Sequence, residues 1–219
     1  MKITKEMIKS SETIKAYIRK ADESLIALGY TEHSFAHVTK VAELAQEILL
    51  TLGYDGRDAE LAWIAGYLHD IGNVINRVDH AQSGAVMAFR ILDNMGADPE
   101  DIATIITAIG NHDESTAFPV NPVAAALILA DKTDVRYTRV RNQDIASFDI
   151  HDRVNYAVKE SNVIVEKGSH LELRLKIDTQ MCAVMDYFEI FLNRMILCRK
   201  AAEKLGLRFQ LIINELRLM

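Results

Sequence analysis

Leu61-Ala62-Trp63-Ile64-Ala65-Gly66-Tyr67-Leu68-His69-Asp70-Ile71-Gly72 is an uncharged apolar run that closes on an imidazole and a carboxylate. A run of this kind reads as a buried helix. An aspartate is almost never fully buried unless something pairs with it or binds it, so packing does not account for the doublet. Neighbouring helical side chains point about 100° apart, and His69 and Asp70 can reach one point only if something small sits between them. A metal ion fits that description, provided other parts of the chain supply further ligands.

On the N-terminal side, residues 4–28 place Met7, Ile8, Ile14, Ile18, Leu25 and Ile26 among charges, an amphipathic helix that ends at Gly29. A second helix is expected over 31–52, with Val38, Val41, Ala42, Ala45, Ile48 and Leu49 on its apolar face and Gly53 as its stop. The quoted run closes a third helix, 58–70, and 80–95 forms a fourth, ended by Gly96. Asp98-Pro99-Glu100-Asp101 opens a fifth, with Asp as N-cap, Pro at the first position and acids facing the helix dipole. It runs through Ile102, Ile105, Ile106 and Ile109 toward His112, and a sixth helix, opened between Pro119 and Pro122, continues to about Val140.

Beyond about Ile150 the period changes. Leu171, Leu173, Leu175 and Ile177 alternate with Glu172, Arg174 and Lys176, which is a strand; Val163-Ile164-Val165 precedes it across Lys167-Gly168-Ser169 and makes a hairpin. A long helix over 179–205 and a last strand over 207–213 complete the chain. The expected fold is mainly α. Residues 1–150 form a helical metal-binding domain, and 151–219 a hairpin, helix and strand extension packed on it as a small antiparallel sheet. An unpaired strand at the chain end invites edge pairing, so a homodimer is one expectation.

The 219 residues are 49% hydrophobic and 26% charged with net charge −6, an ordinary soluble composition. That charge supplies no field to hold a polyanion, which disfavours a dedicated nucleic-acid binder. Cys182 and Cys198 show no C-x-x-C spacing and read as reduced thiols. Lys2, Lys5, Glu6, Lys9, Glu12 and Lys15 break any signal-like run, and no stretch approaches the roughly 18 apolar residues of a membrane span. A cytoplasmic protein with no membrane partner is expected.

Four histidines, His37, His69, His80 and His112, fall at helix positions beside apolar stretches. Asp131 closes a second buried run, Ala124-Ala125-Ala126-Leu127-Ile128-Leu129-Ala130. Singly, each histidine reads as an ordinary core or surface residue; jointly the set is specific. The sequence resembles the HD superfamily of metal-dependent phosphohydrolases over roughly 31–141. The resemblance rests on His37 in His-Val-Thr-Lys-Val-Ala, the doublet in Leu68-His69-Asp70-Ile71-Gly72, and Asp131 in Ala130-Asp131-Lys132. It implies that His37, His69, Asp70 and Asp131 hold one metal. His80 and His112 match the two further histidines of two-metal relatives, with Asp70 as the bridge.

A His and carboxylate donor set without cysteine suits one or two ions of Mn, Fe, Co, Ni or Zn, with Mg also admissible. Metal-bound water ionises near pH 7, so the expected reaction is hydrolysis of a phosphate ester or anhydride by metal-held hydroxide, with Asp70 as the catalytic ligand. The resemblance favours a small phosphorylated substrate, and a nucleotide in particular. The same ligands also serve a mixed-valent di-iron oxygenase in some relatives, and a non-catalytic signalling or assembly module is a third reading. Lys132, Arg136 and Arg139 recur at i, i+4 and i+7 and would form a cationic stripe facing phosphate, or else a solvated face paired with Asp134 and Asp144. His33, one turn before His37, is a substrate-side candidate or a polar helix-start residue. Asp113 or Glu114 would protonate the leaving group, or are ordinary surface acids.

Overall fold

Capping side chains cut the chain into its helices. In a computed structural model that describes residues 1–219, the hydroxyls of Thr4 and Ser11 accept hydrogen bonds from the backbone N–H groups of Met7 and Ile14. The single N-terminal helix expected from the apolar pattern is therefore two, α1 (Lys5–Ser10) and α2 (Glu12–Ala27). Ser34 caps α3 (Phe35–Leu52) and Asp55 caps α4 (Gly56–Leu68). α5 (His80–Asn94) follows Asp79, whose backbone is left-handed at φ 56°. Asp98 caps α6 (Pro99–Gly110) and Asn121 caps α7 (Pro122–Lys132), each with Pro in the first turn as the sequence predicts.

α4 is the central helix: every residue from Leu61 to Leu68 is buried, and it packs against α3, α6 and α7. The contact with α3 is backbone against backbone, because a Cβ on Gly66 would lie 2.7 Å from the Ala42 Cα. That approach brings the start of α3 alongside the end of α4.

α7 stops at Lys132, eight residues short of the expected end. The Thr133 hydroxyl donates to Leu129 O and the Val135 N–H to Thr133 O, and the chain then passes through a 3-10 turn at Tyr137–Arg139. Residues 132, 136 and 139 therefore do not share a helix face, and the expected cationic stripe does not form.

The C-terminal segment begins with α8 (Ile150–Ala157), a short helix that the apolar pattern does not mark. β1 (Val158–Glu166) and β2 (His170–Ile177) form the expected antiparallel hairpin. α9 (Val184–Lys204) then leads to β3 (Arg208–Ile213) and a two-residue β4 (Leu216–Arg217). The sheet order is β1-β2-β3-β4. β3 runs parallel to β2, with Leu173 opposite Leu211, so the sheet is mixed rather than antiparallel. The reason is α9, a crossover helix that carries the chain back to the end of the sheet at which β2 began. Leu171, Leu173, Leu175 and Ile177 face the interior as their period of two predicts, and one continuous apolar core of 55 residues runs through both the helices and the sheet. No helix is long and apolar enough to cross a membrane.

Candidate metal centre

Helix ends deliver all six expected ligands to one place. His37 lies in the first turn of α3, His69 directly follows α4, Asp70 begins a 3-10 turn (Ile71–Val74), and His80 opens α5. His112 lies just beyond α6, and Asp131 is the penultimate residue of α7. All six are buried. Gly72 makes the junction of the 3-10 turn and α5 tight enough: a Cβ there would collide with His80 O and lie 2.5 Å from Gly84 N.

Each imidazole is oriented through Nδ1. His69 Nδ1 lies 2.7 Å from Gly66 O, His112 Nδ1 2.6 Å from Ile109 O, and His80 Nδ1 3.0 Å from Arg77 O. A carbonyl only accepts, so Nδ1 carries a proton in each ring, and whenever the ring is neutral Nε2 carries a lone pair. His37 Nδ1 donates to Asp134 Oδ2 at 2.8 Å. Burial opposes charge on Asp134, but the His37 bond and the Arg139 guanidinium outweigh it and keep this carboxyl ionised.

The Nε2 atoms then converge. His37 Nε2 is 3.6 Å from Asp70 Oδ2 and 3.4 Å from Asp131 Oδ1; His69 Nε2 is 3.1 Å from Asp70 Oδ2 and 3.7 Å from Asp131 Oδ1. His80 Nε2 is 3.6 Å from Asp70 Oδ1 and 3.2 Å from His112 Nε2. Three overlapping trios result: His37, His69 and Asp70; His69, His112 and Asp131; and Asp70, His80 and His112. Within each trio the ligand atoms lie within 4.8 Å of one another. His69, Asp70 and His112 each belong to two trios, so the doublet and His112 link the cluster.

His37 Nε2, His69 Nε2 and Asp70 Oδ2 are buried and lack any hydrogen-bond partner. Buried polar atoms are nearly always satisfied. Two neutral rings that both donate through Nδ1 cannot hydrogen-bond to each other through Nε2, so the pair His80 and His112 sets lone pair against lone pair. A cation between such atoms removes both difficulties, and the donors present fit a divalent metal. Burial, with His69 and Lys132 adding, pushes the His112 pKa down to about 3, which keeps its lone pair free. Burial works against charge on Asp70, but the facing His69 outweighs it and holds the carboxyl well below the usual range.

A cleft of about 420 Å³ opens over Asp70, His80, His112 and Asp131. Of the expected substrate-side residues it is lined by Lys132, Arg139 and His33, but not by Arg136. Lys132 Nζ is 2.6 Å from Asp131 Oδ2 and 3.2 Å from Glu114 Oε2. Arg139 is buried and donates to Glu32 O at 2.9 and 2.8 Å and to Asp134 O at 2.9 Å, so its guanidinium is committed to the protein. Arg136 turns to Asp134 at 2.9 Å and to Glu32 at 3.3 Å. His33 Nδ1 donates to Thr31 O at 2.6 Å, and burial holds its pKa well below the imidazole range. Glu114 is paired with Lys132 and with Arg194, which overcome its burial and keep it ionised, so it stores no proton at neutral pH.

Three contributors escape a reading by spacing. Asn73 Nδ2 donates to both Asp70 O and Asp70 Oδ1 at 2.9 Å, orienting the carboxylate; its signal is adjacency to the doublet. Asp134 was legible only as a charge partner three residues beyond Asp131. Arg194 reaches the cleft from α9, and no local pattern announces it.

A family model for the HD domain matches residues 34–142. No curated protein matches the chain. One similar solved structure is that of a predicted HD superfamily hydrolase from an uncultured Thermotogales bacterium. It is 28% identical with a TM-score of 0.45, over 60% of this chain and 73% of that one.

Proposed function

Because the chain belongs to the HD superfamily through residues 34–142, we propose that it is a metal-dependent phosphohydrolase. Its substrate is a small phosphorylated molecule, a nucleotide in the first instance, cleaved at an ester or anhydride bond. One observation carries this reading: four Nε2 lone pairs and two ionised carboxylates meet at the floor of a cleft with Lys132 and Arg139 in its wall. His37, His69, Asp70, His80, His112 and Asp131 would hold one or two divalent ions, and nitrogen and oxygen donors without sulfur suit Mn, Fe, Co, Ni or Zn, with Mg also admissible. When bound, such an ion supplies ionised water near neutral pH and offsets the charge of the phosphoryl group.

The chain's own groups do the rest. Asp70 turns Oδ2 toward His37 and His69 and Oδ1 toward His80, so its carboxylate would offer an oxygen to either side of the cluster. Asn73 fixes that orientation. Lys132, fully charged because Asp131 and Glu114 overcome its burial, places a cation beside the ligands where phosphoryl oxygens would lie. The test is metal analysis of the purified protein, then phosphate release from a nucleotide panel with Mn, Fe, Co and Mg under anaerobic conditions. Asp70→Ala should abolish bound metal and turnover together. Full turnover by that variant overturns the reading, and oxygen uptake without phosphate release would replace it with oxygenase chemistry.

A further inference from the structure

α9 lies outside the segment matched by the HD model, yet its Arg194 lines the same cleft as Asp70, His80, His112 and Asp131. The guanidinium is anchored at one corner. Its Nε–H donates to Glu114 Oε1 at 2.7 Å, and its Cζ stands 4.5 Å from the centroid of the Phe191 ring. An arginine fork carries five donors, and the four on the Nη atoms find no acceptor in the protein. The side chain is only 23% exposed, so an always-charged planar fork is largely enclosed by the protein while its Nη donors are left to water or a ligand.

The neighbourhood explains what that fork would meet. Glu114 is shared by Lys132 and Arg194, two cations on one carboxylate, so this group carries net positive charge next to Asp131. Arg77 and Arg139 also line the cleft, but the Arg139 guanidinium is spent on Glu32 O and Asp134 O, and Arg77 turns Nη1 to Asn73 Oδ1 at 3.3 Å and to His80 Nε2 at 3.4 Å. Of these three, Arg194 is the one held through Nε with both Nη groups left to donate in parallel to two oxygens of a tetrahedral or planar anion.

We propose that Arg194 binds a non-bridging oxygen of the substrate's phosphoryl group, which makes the C-terminal segment a working part of the active site. This rests on the phosphohydrolase reading. Glu114 is then a positioning residue that aims Arg194 and Lys132.

The experiment uses the metal-loaded 219-residue protein with inorganic phosphate as the binding probe. Calorimetric phosphate affinity, steady-state kinetics and metal content are compared for wild type, Arg194→Ala, Arg194→Lys and the exposed control Arg199→Ala. Expected for Arg194→Ala are unchanged metal content, at least a tenfold weaker phosphate complex, and a kcat/KM reduced by about 10²–10³. Arg194→Lys should recover part of both, since it keeps the charge and loses the fork. Added guanidinium ion should raise the activity of Arg194→Ala but not of wild type, which a merely structural role would not produce. If Arg194→Ala fails to fold, Arg194→Lys and Arg194→Gln, closer in volume, give the same comparison. Phosphate affinity and kcat/KM within twofold of wild type in a metal-loaded Arg194 variant overturn the proposal while hydrolysis by wild type stands. Arg194-dependent phosphate binding without hydrolysis of any phosphate compound would instead overturn the hydrolase reading and keep the anion site. A wild type that neither binds nor hydrolyses phosphate ends both.

Discussion

The carboxylate of Asp134 takes the Nδ1–H of His37 at 2.8 Å and is itself held by Lys40 and Arg136, each at 2.9 Å. A carboxylate behind an imidazole fixes the tautomer, locks the ring and raises the basicity of the opposite nitrogen, and its loss from a metal site typically costs 10–100-fold in affinity. Asp134→Ala should therefore weaken metal binding by about that factor in a chelator competition; unchanged affinity would mean that His37 is not a ligand. Protonation gives a second handle on the metal-free protein. Burial depresses His112 to about 3 from the ordinary 6.5, with His69 and Lys132 adding. The unfolded chain therefore takes up this proton first, and the stability His112 confers when neutral is lost as pH falls from 6.5 toward about 3. The loss is up to about 1.4 kcal/mol per pH unit. His69 departs in the other direction: burial opposes its charge, but Asp70 and Asp131 outweigh it and raise the pKa. Ring NMR of the metal-free protein should show His112 uncharged at pH 5 while His69 is already protonated, and a His112 that titrates near 6.5 would contradict the buried-ligand geometry.

Among the elements, the junction between the 3-10 turn and α5 tolerates no side chain at residue 72. Gly72→Ala must push α5 away from Asp70, and overpacking of this kind costs about 1–3 kcal/mol. A fall of several degrees in melting temperature should accompany partial loss of metal, because His80 moves with the helix; a variant with wild-type stability and metal content would show that the junction is not this tight. The same junction illustrates what could be read from the chain beforehand. Helix starts at Asp98-Pro99 and near Pro122 were legible because capping and proline effects are local, and the His69-Asp70 doublet stood out because its burial has no packing explanation. The end of α7 was not legible. Apolar spacing runs on past Asp131, whereas the helix ends at Lys132 and the Val135 N–H turns back to Thr133 O, which separates Lys132 from Arg136 and Arg139. Nor was the link from Glu114 to Arg194, whose partners lie 80 residues apart and acquire meaning only once α9 packs against α7.

For the molecule as a whole, the cluster is assembled from five segments that only the folded core brings together, and their lone pairs face one another. A metal that binds this arrangement and not the unfolded chain stabilises it by mass action, by about 4 kcal/mol at a thousandfold excess over Kd. For a chain of 219 residues each kcal/mol is worth about 2–4 °C, so chelation should lower the melting temperature by roughly 10 °C, and restored metal should reverse the shift. The extension shares the apolar core with the helices, and its crossover through α9, which makes β3 parallel to β2, is what brings Arg194 over the cluster. The thermal shift should therefore be a single transition that includes the sheet, followed equally well by near-ultraviolet circular dichroism and by hydrogen exchange at β2 and β3. Asp70→Ala should melt at the same temperature with and without chelator, because it lacks the carboxylate common to two of the three trios. A wild-type protein whose melting is indifferent to chelator after metal loading would separate fold from site and remove the physical reason for gathering six costly side chains in one core.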